Sequence, residues 1–248
     1  MKACCVLILS VFTAVEIATA QDSTSTMWSV GTGYSSFKDE LAVGLLYQGF
    51  AIDGSFAQRY SFEGAEVSWS ILLSLNTVFS RGATAFDVYF KPWNGGALFT
   101  VVDGRWSLAI GPGLTGSYHT YLNPFVNSGH FFWYTHYDLE LRLASSFTIE
   151  DQQVRMQLNT AVLSLASRPE AMPDPYFYSW SLGDMITRAH SNMVVASIDK
   201  VQHTDLTIEW FPSSCDGEIS LAYVMSYDRY RPDPELQILQ HLVRLTWY

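Results

Sequence analysis

The sequence predicts an all-β protein that folds as a closed antiparallel up-and-down barrel. Three observations lead to this prediction. Apolar and polar residues alternate along several long segments, and turn residues separate those segments. Charged residues make up only 15% of a chain that is 48% hydrophobic and 15% aromatic. This composition excludes a disordered chain, which is rich in charge and poor in aromatic residues.

The N-terminal segment predicts export. Lys2 precedes an apolar run over residues 3–15, and residues 18–20 (Ala-Thr-Ala) have the small side chains of a cleavage site. The run is shorter than the roughly 20 residues that a membrane-spanning helix needs. We therefore predict a cleaved signal peptide over residues 1–20 and one domain over residues 21–248. The net charge of −10 argues against nucleic acid as a partner.

Alternation with a period of two is the main secondary-structure signal. In residues 131–143 the odd positions are mostly apolar, whereas His136, Asp138, Glu140 and Arg142 occupy even positions. A strand places two such sets on opposite faces. No long stretch shows the 3.6-residue period of a helix. The same alternation recurs in residues 66–79, 154–165 and 217–230.

Turn residues set the predicted number of strands. Asp53-Gly54 and Asp103-Gly104 are hairpin dipeptides, because glycine adopts positive φ without steric cost. Longer breaks are predicted at residues 92–96 and 168–189, among others. Together they predict about twelve strands, with ten as the next choice. In that numbering every long connection emerges at one end of the barrel.

The scarcity of charge indicates which face of the sheet meets solvent. A soluble sandwich or barrel turns its apolar face inward and exposes a richly charged face. A membrane barrel has the inverse arrangement, with apolar side chains on lipid and polar ones in the lumen. It must also close, because an unpaired strand edge in hydrocarbon is costly. We favour the membrane barrel, and a soluble periplasmic barrel around an apolar ligand is an alternative.

This pattern resembles the small outer-membrane β-barrel proteins of Gram-negative bacteria. The resemblance covers residues 21–248 and implies a location in the cell outer membrane, in contact with its lipid. The chain finishes with Leu245-Thr246-Trp247-Tyr248. The resemblance implies that the barrel assembly machinery recognises this C-terminal strand through Trp247 and Tyr248. It does not indicate an oligomeric state.

Charged residues at inward positions suggest what fills the lumen. Barrels of 8 to 12 strands are narrow enough for such side chains to meet across the lumen as a network of ion pairs. We therefore favour a structural or interaction protein with a filled lumen. A narrow channel for small polar or ionic solutes is the first alternative. The predicted inward residues are Asp87, Lys91, Arg105, Glu140, Arg142, Arg155, Asp205 and Glu209.

A lipid-modifying hydrolase is the second alternative. Outer-membrane phospholipases and lipid A deacylases carry a His-x-Ser-Asn run, in which histidine and serine share a strand face. In this chain His190-Ser191-Asn192 lacks the spacer. His190 and Ser191 could act together only in a loop geometry, so we do not expect an enzyme.

The histidine spacing predicts no metal site, and nothing in the sequence predicts a cofactor. His130 and His136 share a strand face but would lie about 20 Å apart. No ligand spacing is recognised around His119 or His203.

The long connection at residues 168–189 is rich in proline and aromatic residues. Exposed aromatic side chains on a loop predict recognition of a partner, a glycan or a lipid headgroup. A lid over the barrel mouth is the alternative. The candidate recognition residues are Tyr176, Phe177, Tyr178 and Trp180.

Overall fold

Antiparallel strands form almost all of the regular structure. The computed structural model describes residues 23–41, 44–80, 83–123, 130–150, 152–169, 187, 189–213 and 218–248. Within them lie the strands β1 (Ser23–Asp39), β2 (Leu46–Phe62), β3 (Ala65–Ser80), β4 (Ala83–Val102), β5 (Trp106–Asn123), β6 (His130–Ile149), β7 (Gln152–Ser167), β8 (Val194–Ser197), β9 (Val201–Phe211), β10 (Ile219–Tyr230) and β11 (Leu236–Trp247).

The sheet closes on itself with ten strand positions. β1 pairs with β2 on one side and with β11 on the other, and every pairing is antiparallel. β8 and β9 share one position, because they lie end to end along β7. β8 pairs with residues 163–166 of β7, and β9 pairs with residues 153–160. The predicted closed up-and-down barrel is confirmed.

The main prediction of twelve strands is wrong, and the alternative of ten is correct. Asp53-Gly54 is not a turn but lies within β2, where both residues pair with β1 and β3. Asp53 is buried there and forms an ion pair with Arg244 of β11. The Asp53 carboxylate is therefore part of the charge network in the lumen and not part of a hairpin turn.

The second misplaced turn is the predicted break at residues 92–96. These residues lie within β4, and the register of the β4–β5 pairing shifts beside them. A β-bulge inserts an extra residue without ending the strand. Proline and glycine therefore mark a bulge here, and the two misplaced turns account for the two extra strands.

The two ends of the barrel differ. We call the end at which β1 and β10 finish the loop end, and the opposite one the termini end. Residues 40–45, 124–129, 168–193 and 231–235 connect strands at the loop end. At the termini end the connections are short, apart from residues 212–218. The predicted separation of long from short connections therefore holds with two exceptions, because the short connection at residues 81–82 lies at the loop end.

The polarity of the barrel is inverted relative to a soluble protein. Charged and polar side chains are buried inside, whereas large apolar side chains cover the outer face. Trp28 and Trp247 lie opposite each other on the outside near the termini end. Such a surface is stable only against lipid, so the barrel spans a membrane. Other exposed apolar residues include Phe50, Ile52, Leu73, Leu75, Val88, Leu139, Leu141, Leu221 and Val243.

The described residues include no helix long and apolar enough to cross a membrane. The predicted signal peptide lies outside the described residues and stays a prediction.

We expect arginine on the outer face to destabilise the barrel in a depth-dependent way. Leu73 lies in the middle of β3 and faces outward, so Leu73→Arg places a charge in hydrocarbon and costs about 2–4 kcal/mol. Val101, near the termini end of β4, is the matched control, and Val101→Arg costs about 0–1 kcal/mol. Urea unfolding in lipid vesicles measures both. Equal costs would contradict the outward assignment.

Candidate functional site

An aromatic and aliphatic layer fills the lumen at the loop end. Phe37 stacks on Tyr47 with ring centroids 4.8 Å apart and contacts Tyr121 at 4.7 Å. These rings come from inward positions of β1, β2 and β5, which converge at the mouth. We call this layer the mouth cap. Its largest members are Phe37, Tyr47, Tyr121, Tyr134, Tyr230, Leu236 and Ile238.

A buried cluster of histidines and aspartates lies directly below the mouth cap. Its three histidines are at most 1% exposed. The side chains come from five strands, because each occupies an inward position near the loop end of its strand. We call this set the histidine–aspartate cluster. Its members are His119, His136, His203, Asp87, Asp138, Asp205 and Asp228.

Asp228 is the centre of the histidine–aspartate cluster. Its Oδ1 accepts a hydrogen bond from Nδ1 of His203 at 2.6 Å. Nε2 of His136 lies 3.4 Å from the same oxygen, and Nε2 of His119 lies 3.6 Å from Oδ2. On the far side of its ring, Nδ1 of His136 is 2.6 Å from Asp138. Three imidazoles therefore converge on one carboxylate.

Ring stacking fixes the orientation of these imidazoles. Tyr89 stacks on His119 with centroids 4.0 Å apart, and Tyr134 stacks on His136 at 4.9 Å. Stacking on both rings restricts their rotation, so their nitrogens stay directed at Asp228.

A cross-lumen ion pair joins the cluster to the layer below it. Nζ of Lys91 lies 2.6 Å from Oδ2 of Asp205 and 3.3 Å from Nε2 of His203. Asp205 also accepts from the hydroxyl of Ser226 at 2.6 Å. Lys91 belongs to β4, whereas Asp205 belongs to β9, so this contact crosses the barrel.

The next layer consists of Glu140, Arg142 and their partners. Glu140 accepts from Arg142 at 2.9 Å and from Thr115 at 2.6 Å, and Arg142 also donates to Asn94. A glycine at position 113 leaves space for the guanidinium of Arg142. A Cβ at Gly113 would lie only 2.0 Å from Nε of Arg142.

The lumen is less densely filled towards the termini end. Arg155 donates to both oxygens of Glu66 at 2.9 and 2.6 Å. Glu209 accepts from Ser220 at 2.6 Å and from the hydroxyl of Tyr248 at 2.5 Å. Two cavities of about 200 and 190 Å³ lie among these side chains. The second reaches up to Lys91 and Asp205.

The predicted lumen residues fall into two groups. Asp87, Lys91, Glu140, Arg142, Arg155, Asp205 and Glu209 all point into the lumen. Arg105 does not, because β4 ends at Val102 and Arg105 lies exposed in the following turn. Its placement corrects the expectation for that residue.

Sequence reasoning missed the three histidines as a group. It compared His136 with His130 on one strand, whereas the structure brings His136 to His119 and His203 on other strands. His119 and His203 also gain carboxylate neighbours from other strands, among them Asp228. A usable signal was present, since His136-x-Asp138 and His203-x-Asp205 each place both side chains on the polar face.

His190 lies on the outer face of the barrel, away from the lumen. Its Nε2 is 2.5 Å from the hydroxyl of Tyr137 and 3.1 Å from that of Tyr118. Trp93, itself exposed, stacks on Tyr137. The backbone oxygen of Ser191 accepts from Ser167. The proposed recognition residues Tyr176, Phe177, Tyr178 and Trp180 lie outside the described residues.

Comparisons with known proteins reveal relatives in fold but not in sequence. No family model matches the chain, and no curated protein matches it. The outer membrane protease OmpT from Escherichia coli matches with a TM-score of 0.57 and 8% identity, over 92% of this chain and 97% of that one.

Two further outer-membrane barrels match more loosely. Neisserial surface protein A matches with a TM-score of 0.37 and 6% identity, over 91% of this chain and 99% of its own. The translocator domain of autotransporter NalP from Neisseria meningitidis matches with a TM-score of 0.45 and 10% identity, over 100% of this chain and 96% of that one.

The protein is an outer-membrane β-barrel. Its apolar outer face, its polar lumen and its closed ten-strand sheet agree with the fold that it shares with OmpT. The predicted location in the outer membrane is confirmed. The likeness concerns the fold alone and leaves the activity open.

We expect the loss of Lys91 alone to destabilise the barrel more than the loss of both charges of the Lys91–Asp205 pair. Lys91→Met leaves the buried Asp205 carboxylate without its cation and costs about 3–5 kcal/mol. Combining it with Asp205→Asn removes the unpaired charge, keeps an acceptor for Ser226 and restores most of that stability. Urea unfolding of the single and double variants measures the difference. Equal losses in the two would contradict the pairing.

Proposed function

We propose that this protein is a non-conducting outer-membrane barrel of the structural or interaction type, which presents its loop-end segments to a partner. The observation that carries the proposal is the filled lumen. The mouth cap, the histidine–aspartate cluster and the Glu140–Arg142 layer follow one another from the loop end inward. The mouth cap and the histidine–aspartate cluster combine side chains from opposite sides of the barrel, whereas the Glu140–Arg142 layer comes from the neighbouring strands β4, β5 and β6.

The pairing of the charges also favours a plug over a pore. A charge-selective pore needs side chains whose charge faces the permeating ion. Here Lys91 is bound to Asp205 and Arg142 to Glu140, so these charges are used within the protein. One of the two cavities lies among the termini-end residues, and the other extends from there, past Arg142, up to Lys91 and Asp205 below the mouth cap.

A barrel with a closed lumen can still bind a partner through the segments at its loop end. The longest connection, residues 168–193, emerges there. Its aromatic residues 176–178 and 180 are the candidate contacts, since exposed aromatic side chains on loops commonly bind partners. A partner protein, a glycan or a lipid headgroup fits this chemistry.

The C-terminal strand supplies a second proposed interaction. Trp247 faces outward and is 41% exposed, whereas the hydroxyl of Tyr248 donates to Glu209. We propose that the barrel assembly machinery recognises the strand through Trp247 and Tyr248 before the barrel closes.

We expect the protein to give no unit conductance steps in planar lipid bilayers, because the plug closes the lumen. A porin reconstituted in parallel serves as the positive control. The double variant Glu140→Ala with Arg142→Ala removes only the lowest layer of the plug, and we expect it to stay non-conducting while it migrates as a folded barrel on unheated gels, because the mouth cap still fills the lumen. Defined steps from the unmodified protein would favour the channel alternative.

We expect no phospholipid hydrolysis from the purified protein in mixed micelles. Nε2 of His190, the nitrogen that would accept a serine proton, already contacts the hydroxyls of Tyr118 and Tyr137. His190→Ala and Ser191→Ala are the matched variants. Hydrolysis by the unmodified protein that disappears in both variants would establish the lipid-hydrolase alternative.

A further inference from the structure

We infer that the histidine–aspartate cluster binds a divalent first-row transition-metal ion of the Zn²⁺ type. The ligands are Nε2 of His119, Nε2 of His136 and the carboxylate of Asp228. The inference deepens the proposed function, on which it rests only in placing the ion inside the plug. Two imidazoles and a carboxylate are a donor set that zinc takes up, with a fourth position left for water or another ligand.

The spacing of the ligand atoms fits an ion better than it fits hydrogen bonds. All three lie within 4.8 Å of one another. The two nitrogens are 3.6 and 3.4 Å from the Asp228 oxygens, and neither makes a hydrogen bond. Bonds of about 2.0–2.1 Å to a tetrahedral zinc ion separate its ligand atoms by roughly 3.3–3.4 Å. A small inward movement of His119 would complete the set.

The surrounding residues hold the ligands in the required form. An ionised carboxylate only accepts hydrogen bonds, so Nδ1 of His136 carries the proton that it shares with Asp138. In a neutral ring, Nε2 is then the nitrogen with a free lone pair. Asp87 lies behind His119, 3.6 Å from its Nδ1, without a hydrogen bond between them. Metal-bound histidines commonly have such a carboxylate behind them.

Asp228 is oriented in the same manner. Nδ1 of His203 donates to its Oδ1 at 2.6 Å, so one bond positions the carboxylate while its oxygens face the two imidazoles. His203 in turn contacts Asp205 and Lys91. His203 is thus a positioning residue that links the site to the cross-lumen ion pair.

Unsatisfied polar atoms indicate that the cluster needs a further group. Both ring nitrogens of His119 and Nε2 of His136 are fully buried and lack a hydrogen-bond partner. A buried polar group without a partner costs about 1–3 kcal/mol. Two of these atoms, the Nε2 atoms, face the same carboxylate, whereas nearly all buried polar groups in folded proteins are paired. A bound ion would satisfy the two Nε2 atoms.

The charge balance leads to the same conclusion. Lys91 pairs with Asp205, but no lysine or arginine pairs with Asp87, Asp138 or Asp228 in the described part of the chain. With neutral imidazoles, three buried carboxylates are left without a cation. A divalent ion bound to Asp228 offsets two of these charges. It would also join β5, β6 and β10 across the lumen.

Metal uptake during folding tests the inference. The full chain is refolded into detergent with Zn²⁺ or with a chelator, and folded protein is identified by its migration on unheated gels. After gel filtration we expect about one Zn²⁺ per folded chain. Refolding with Co²⁺ should give the visible absorption of a four- or five-coordinate site with nitrogen and oxygen ligands.

The variants separate ligands from positioning residues. His119→Ala and His136→Ala should each abolish stoichiometric uptake, and Asp138→Asn should weaken affinity by about 10–100-fold while the barrel still folds. His241→Ala is the control, because His241 pairs with Tyr223 on the outer face and should not affect uptake. If a ligand variant does not fold, the affinity of Asp138→Asn and the cobalt spectrum still decide.

Two results would overturn the metal site. One is a folded barrel that takes up no Zn²⁺ or Co²⁺, in which case protonated imidazoles balance the carboxylates. The other is uptake that is unchanged in folded His119→Ala, His136→Ala and Asp138→Asn proteins. Neither result depends on conductance, so the proposal of a non-conducting barrel and the proposal of a metal site can be refuted independently.

Discussion

The structure depends on the buried network of charges that crosses the lumen. A barrel with an apolar outer face must turn its polar side chains inward, where they meet one another instead of bulk water. Each charge must then find a partner, because an uncompensated buried charge is costly. Lys91 with Asp205 and Arg155 with Glu66 meet this requirement across the barrel, whereas Arg142 pairs with Glu140 on the same strand.

This constraint explains several local choices in the sequence. Asp53 precedes a glycine but does not form a turn, because its carboxylate points into the lumen and pairs with Arg244. Gly113 lies inside β5 because any side chain there would collide with the guanidinium of Arg142. At the loop end, aromatic rings pack together in Phe37, Tyr47 and Tyr121, and the buried ion pair of Asp39 with Arg168 lies beside them. At Asp53 and Gly113, residues that are typical of turns therefore serve the packing of the lumen.

The histidine–aspartate cluster is the place where the network is least satisfied. The other ion pairs of the lumen place a lysine or an arginine against a carboxylate, whereas here Asp228 faces three imidazoles. Functional sites commonly depart from the local rules that the rest of a protein obeys. This departure sets the cluster apart from the structural ion pairs around it. It also lies between the mouth cap and the cavities, where an ion could reach it from the termini side.

The fold was predictable from the sequence because the alternation of inward and outward side chains along a strand depends only on residues that are neighbours in the chain. In residues 131–143, each inward side chain identified by alternation, from His136 to Arg142, is buried in the lumen. The strand count was less predictable, since Asp-Gly and Pro-rich segments mark turns and bulges alike. Only pairing with neighbouring strands distinguishes the two.

The sequence by itself determined the β period, the inverted polarity and the location that follows from them. These properties depend on neighbouring residues and on composition. Only the tertiary structure decided which inward residues meet, because closure and register bring together side chains that lie far apart in the chain. His119, His136 and Asp228 are the clearest case. Nothing in their local sequence reveals their common centre, which exists only once β10 faces β5 and β6 across the lumen.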